Sequence, residues 1–247
     1  MLSFIHIGKT GGSTIEYILR EHYPNLKEYH HKKDYKSNEK YIIWIRNPIS
    51  RFVSAYNYSH HLVNYNCTNK NSTDINMSNC LCPPIIEKKI INKTQYAISN
   101  EYDNLINFFN SANSLAEGLS SIDPIIKVKA IDLMNFESKG HINIGIGWYL
   151  NNGDFIEIYN DKILFVGKQE SMEEDIEKLG KILDKPLNKN IKIRNNIYSS
   201  EESKYLSPLA INNLIEFYKD TDYKALIELK NYGWISDEVL ASYYMYP

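Results

Sequence analysis

The strongest constraint on the fold of this chain is the stretch Phe4–Arg20, FIHIGKTGGSTIEYILR. Here an apolar run stops, a glycine-rich loop carries one lysine, and a helical pattern begins. Leu2–Ile7 is nearly continuous in apolar residues, the pattern of a strand covered on both faces in a parallel sheet. From Ser13 the period changes. Ile15, Ile18, Leu19 and His22 stand at i, i+3, i+4 and i+7, the stripe of an amphipathic helix. The same succession recurs. Tyr41–Ile45 (YIIWI) reads as a second buried strand, followed by a helix with Asn47 as N-cap and Pro48 at its first position. Lys162–Gly167 (KILFVG) reads as a third. Ser171-x-x-Glu174 then predicts a capping box, with Met172, Ile176, Leu179 and Leu183 in helical register. Ser207-Pro208 opens a further helix whose stripe is Ile211, Leu214, Ile215 and Tyr218. Repeated strand–helix units predict an α/β fold, a central parallel sheet with helices on its faces.

With 247 residues and an apolar fraction of 43%, the chain can bury the core of one sizeable domain, expected to span 1–247. Asn64–Pro84 (NYNCTNKNSTDINMSNCLCPP) is Asn-rich, lacks an apolar period and ends in Pro-Pro, so it reads as an inserted surface loop. The region 100–150 reads as mostly helical. A net charge of −2 argues against a general nucleic-acid binder. No stretch approaches the roughly 20 apolar residues that span a bilayer, and no signal peptide is read, so a cytoplasmic setting is expected. Cys67, Cys80 and Cys82 all fall in the inserted segment. Even with His60 and His61 nearby, their spacing matches no standard zinc pattern, and free thiols or one local disulfide are expected.

The loop sits at the carboxyl edge of the expected sheet, where open α/β folds place ligands. Gly8, Gly11 and Gly12 let an anion approach the main chain, the first helical turn supplies N–H donors, and Lys9 adds a full charge. Thr10, Ser13 and Thr14 add hydroxyls. This describes a phosphate or sulfate cradle, against the plainer reading of a tight turn with a solvated lysine. It is not a Walker A loop, because Ser3 stands where that motif needs its first glycine and the lysine precedes the paired glycines.

IRNPISRFVSAYNY, Ile45–Tyr58, supplies the second half of the site. Arg46 closes the second strand at the same edge, and Ser50, Ser54 and Tyr58 share one helix face. An arginine fork at a strand end and a serine on the next helix can grip one phosphate from two sides. Arg51 is read instead as a structural or interfacial ion pair.

FIHIGKTGGSTI and IIWIRNPISRFVSAYNY together resemble the two donor-binding motifs of sulfotransferases that use 3′-phosphoadenosine 5′-phosphosulfate (PAPS). The resemblance is closest to the heparan-sulfate and related carbohydrate branch with its bacterial and viral relatives. ILFVGKQESMEEDIEKL, Ile163–Leu179, resembles a third segment of that family, and the three cover about a quarter of the chain. The resemblance implies a P-loop-NTPase-like three-layer fold. It implies that residues 8–14 hold the 5′-phosphosulfate and that Arg46 and Ser54 hold the 3′-phosphate. It also implies a catalytic histidine between the two motifs, where EYHHKKDY offers His30 and His31, with His31 favoured and Glu16 and Glu28 in reserve. Arg194 and Asn195, in KIRNN, fall where relatives close over the donor.

In such a reaction Lys9 would neutralise the leaving oxygen, and no metal is required. The expected acceptor is a hydroxyl on a carbohydrate. The rivals are a P-loop nucleotide kinase or phosphotransferase using ATP and magnesium, and a non-catalytic sulfotransferase-like domain that binds carbohydrate.

Overall fold

The computed structural model describes residues 1–68, 100–136, 141–190 and 202–246, without the side chains of residues 62, 65–68 and 100. In chain order the elements are β1 (Leu2–Ile5), α1 (Gly12–His22), β2 (Lys27–Tyr29), β3 (Lys40–Ile45) and α2 (Pro48–Thr68). There follow α3 (Asn100–Phe108), α4 (Ala112–Gly118), α5 (Pro124–Asn135), α6 (Ile146–Tyr149) and α7 (Asp154–Tyr159). The chain then forms β4 (Ile163–Lys168), α8 (Met172–Leu183), α9 (Pro208–Tyr218), α10 (Lys224–Asn231) and α11 (Asp237–Ser242). The strands make one all-parallel sheet in the order β2-β1-β3-β4.

Alternation along the strands divides the interior in two. Phe4, Ile42, Trp44 and Phe165 point to one face, where Ile15, Ile18 and Leu19 of α1 and Ile176 and Leu179 of α8 cover them. Ile5, Tyr41, Ile43, Ile45 and Val166 point to the other, against residues of α2, α6, α7 and α9 such as Phe52, Ile146, Phe155 and Leu214. Both faces of the central strands are therefore dry, which is why their sequences are continuously apolar rather than alternating. Each such side chain contributes about 1.5–3 kcal/mol on burial. Helices on both faces give the three layers expected of a P-loop-NTPase-like α/β fold. Among the described residues no helix is long and apolar enough to cross a membrane.

The predicted strands lie within a few residues of the observed ones. Asn47 caps α2, its Oδ1 accepting from the N–H groups of Ile49 (2.9 Å) and Ser50 (3.1 Å). Its amide also donates to the Met245 carbonyl at 2.8 Å, tying the C-terminal segment to the start of α2. Glu170 completes the fastening, accepting from Asn47 N–H (2.8 Å) and from the Tyr243 hydroxyl (2.9 Å). Ser207 caps α9 through Ala210 N–H at 3.1 Å, with Pro208 first in the helix.

Two expectations are corrected, and one strand is added. α8 starts after Ser171 as predicted, but no capping box forms. The Ser171 hydroxyl instead donates to Asp175 Oδ2 at 2.8 Å, an acceptor that Lys168 N–H shares at 2.9 Å. The inserted segment does not begin as a loop, because α2 continues through residues 64–68, and 69–84 lies outside the described residues. The edge strand β2 was not foreseen. Three residues are too few to show a period, and pairing with Ser3–Ile5 makes them a strand.

Candidate functional site

The loop between β1 and α1 turns on two left-handed residues. Gly11 has φ 84°, as glycine readily does, but Lys9 has φ 69° with a full side chain. Such a backbone costs about 1–3 kcal/mol and persists only where the surroundings hold it. One restraint is the Thr10 hydroxyl, which donates to the Ile7 carbonyl at 2.9 Å. The N–H groups of Gly8, Thr10, Gly11, Gly12 and Ser13 make no well-aligned hydrogen bond to the described backbone. They form a group of donors at a helix N-terminus, an arrangement suited to an anion.

Two of the glycines have a further cause. A Cβ on Gly8 would lie 2.2 Å from Nδ1 of His141, and one on Gly12 would lie 2.1 Å from the ring of His6. Neither has positive φ. They are glycines because two imidazole rings lie on the loop, whereas Gly11 alone of the three has positive φ.

Lys9 and Arg46 meet at this loop. The Lys9 ammonium lies 3.1 Å from the centroid of the Tyr58 ring, a cation–π contact that fixes its direction. Arg46 Nη1 donates to the Lys9 carbonyl at 3.2 Å, which is the one hydrogen bond Arg46 makes among the described residues. Burial pushes the Arg46 pKa down from its ordinary value, and the Glu170 charge works against that. Ser54 is half-buried one turn before Tyr58, on the face of α2 that meets Lys9, and makes no hydrogen bond to Arg46 among the described residues. Arg51 behaves quite differently. Fully buried, it donates from Nη1 to the His141 carbonyl (2.6 Å) and from Nη2 to the Ile142 carbonyl (3.2 Å), and its Nε lies 3.6 Å from Asp222 Oδ2. It is a structural ion pair, as expected.

His30 and His31 follow β2 directly, beside the loop. His31 is left-handed at φ 56°, its N–H donating to the Tyr149 hydroxyl at 3.3 Å. Stacking joins four rings. His6 to His30 is 4.5 Å between centroids and His30 to His31 is 4.1 Å, while His141 lies 5.4 Å from His31 and 6.0 Å from His30. Glu28 lies behind them, with Oε1 2.5 Å from His6 Nδ1 and 3.7 Å from His30 Nδ1. Burial alone would raise the Glu28 pKa. The hydrogen bond and charge of His6, with His30, outweigh it and hold Glu28 at about 2. Glu16 pairs with Arg20 Nε at 2.7 Å. Both carboxylates are thus committed to ion pairs rather than standing ready as bases. Burial first, then the charges of Lys9, His31, His30 and Arg51, pushes His141 well below the ordinary histidine value, so its ring is neutral near pH 7.

The structure therefore brings Gly8–Thr14, Arg46, His30 and His31 to one edge, and adds His6, His141 and Tyr58. His6 had a signal in the sequence, a lone polar residue between Ile5 and Ile7 at the ligand edge. His141 had none, since only the tertiary fold carries it to Gly8. Arg194, Asn195, Cys80 and Cys82 lie outside the described residues, as does the Cys67 side chain. A comparison of the chain with protein-family models, with curated proteins and with solved structures finds no match.

Proposed function

We propose that this chain is a sulfotransferase that moves a sulfuryl group from PAPS to an acceptor hydroxyl, on a carbohydrate by the resemblance of its motifs. The observation that carries the reading is the Arg46 guanidinium, held on the Lys9 carbonyl with one of its five donors, beside a loop in which the N–H groups of Gly8 and Thr10–Ser13 make no well-aligned hydrogen bond to the described backbone. Residues 8–14 would cradle the 5′-phosphosulfate, and Arg46 with Ser54 would take the 3′-phosphate. The acceptor oxygen attacks sulfur as the bond from sulfur to the bridging phosphate oxygen breaks. The acceptor proton passes to a histidine, and adenosine 3′,5′-bisphosphate leaves. Lys9 would balance the charge that builds on the bridging oxygen. Glu28, 3.7 Å from His30 Nδ1, supports His30 rather than His31 as the base, because a carboxylate there stabilises the imidazolium that forms.

The test is a thermal shift of the purified chain with adenosine 3′,5′-bisphosphate, with ATP-magnesium, and with buffer. A ligand at 100 times its Kd stabilises by about 2.7 kcal/mol, or about 5–11 °C in Tm for a chain of this size. The bisphosphate is expected to produce that shift. Stabilisation by ATP-magnesium without an effect of the bisphosphate would replace this reading with the nucleotide kinase.

A further inference from the structure

We propose that His30, His31 and His141 form a binding site for a divalent transition-metal ion of the zinc type. Each residue offers one ring nitrogen, and the three ligand atoms lie within 4.8 Å of one another. Three imidazoles on a tetrahedral ion, each about 2.0–2.1 Å from it, need their nitrogens about 3.3–3.4 Å apart. Rotations of the three side chains cover that difference.

Three further features favour the ion. His141 Nδ1 is shielded from solvent and has no hydrogen-bond partner among the described residues, so this ring holds a buried polar atom that still calls for a partner. Glu28 Oε1 lies 3.7 Å from His30 Nδ1, too far for a hydrogen bond but close enough for its charge to favour a cation bound through that ring. The left-handed backbone of His31, anchored by its N–H on the Tyr149 hydroxyl, carries strain of the kind that holds a side chain in a set direction.

The opposing charges are Lys9, whose ammonium is turned onto the Tyr58 ring, and Arg51, whose guanidinium lies 3.6 Å from the Asp222 carboxylate. A second group, His6, Glu28 and His30, also comes together, but its 2.5 Å hydrogen bond between His6 and Glu28 already engages two of the three. Three nitrogen donors and no carboxylate select zinc, cobalt, nickel or copper over magnesium or calcium, and leave a fourth position for water or another ligand. The inference stands apart from the sulfuryl-transfer reading. Under that reading an ion here would occupy the nitrogen the base uses, so the loaded and active states would exclude each other.

The test is titration of the chelator-treated chain with cobalt(II), followed through its visible ligand-field absorption, and with zinc by calorimetry. No donor is needed, so the result is independent of enzymatic activity. One equivalent is expected to bind with the spectrum of a four-coordinate, nitrogen-ligated ion. His141→Ala and His31→Gln should each weaken binding by about 100-fold or more, and His60→Ala, on α2, should not. Two variants at separate segments guard against one that fails to fold. Absence of stoichiometric binding, or binding unchanged in whichever of the two variants folds, would overturn the site. So would an equal loss in His60→Ala, which would mark general surface binding.

Discussion

Arg51→Ala is expected to lower folding stability by about 3–5 kcal/mol, a large part of the 5–15 kcal/mol typical of a domain. Arg51 is 0% exposed, and its guanidinium is shared among Asp222 and the carbonyls of His141 and Ile142. Removing it leaves the Asp222 carboxylate buried without its cation, although Oδ1 still accepts from Gly147 N–H at 2.8 Å. It also releases the segment that presses the His141 ring onto Gly8. Arg51→Met, which restores much of the volume without the charge, should lose nearly as much. Arg51→Met with Asp222→Asn should regain part of it, because the uncompensated charge is then gone. Urea unfolding with an unchanged m value measures the effect. A loss below about 1 kcal/mol in Arg51→Met would show that the ion pair contributes no more than a surface pair.

Replacing His30 and His31 together by alanine is expected to lower kcat by about 100-fold or more and to leave bisphosphate affinity nearly unchanged. The split follows from position. Both rings stand beside the anion loop at the end of β2, while the groups assigned to the donor lie on that loop, at the end of β3 and on α2. His30→Ala should carry most of the loss, since Glu28 lies behind its ring. Glu28→Gln should lower kcat less and move the acidic limb of the pH profile to lower pH, because the imidazolium loses its stabilising charge. Release of bisphosphate from PAPS, with carbohydrate acceptors, is the assay. Near-normal turnover in the double variant would remove both histidines from the reaction.

How far the structure could be read from the sequence depended on the range of the forces involved. YIIWI and ILFVG were legible because burial on both faces demands apolar residues at every position. Asn47-Pro48 was legible because a cap is a local bond, made two and three residues away. At Ser171 the same local rule gave the boundary and missed the bond, since Asp175 competes for its hydroxyl. The glycine loop was legible as a loop, but one reason for Gly8 lies at His141, far along the chain. The left-handed Lys9 was not legible, because nothing in its neighbours marks a lysine for that conformation. Arg46 and Arg51, five residues apart in the motif, were separated by their places. The first ends a strand at the ligand edge, and the second enters the helix interior, where its Asp222 partner could be seen only in three dimensions. The proposed metal site was beyond reach for the same reason, since one of its three residues is His141.

The central claim is that this edge of the sheet is built for a donor carrying a 3′-phosphate, and donor discrimination tests it most directly. Affinity would be measured for PAPS and for adenosine 5′-phosphosulfate, which lacks that phosphate, in the native chain and in Arg46→Ala. A charge-assisted hydrogen bond is worth about 1.5–3 kcal/mol, or about 10- to 150-fold. The native chain should prefer PAPS strongly, and Arg46→Ala should lose about that factor for PAPS while barely changing for the shorter donor. Ser54→Ala should show the same selectivity with a smaller loss, since it removes a neutral partner. Equal losses on both donors in a folded Arg46→Ala protein would contradict the account, leaving Arg46 as a residue that ties β3 to the Lys9 loop through its 3.2 Å hydrogen bond.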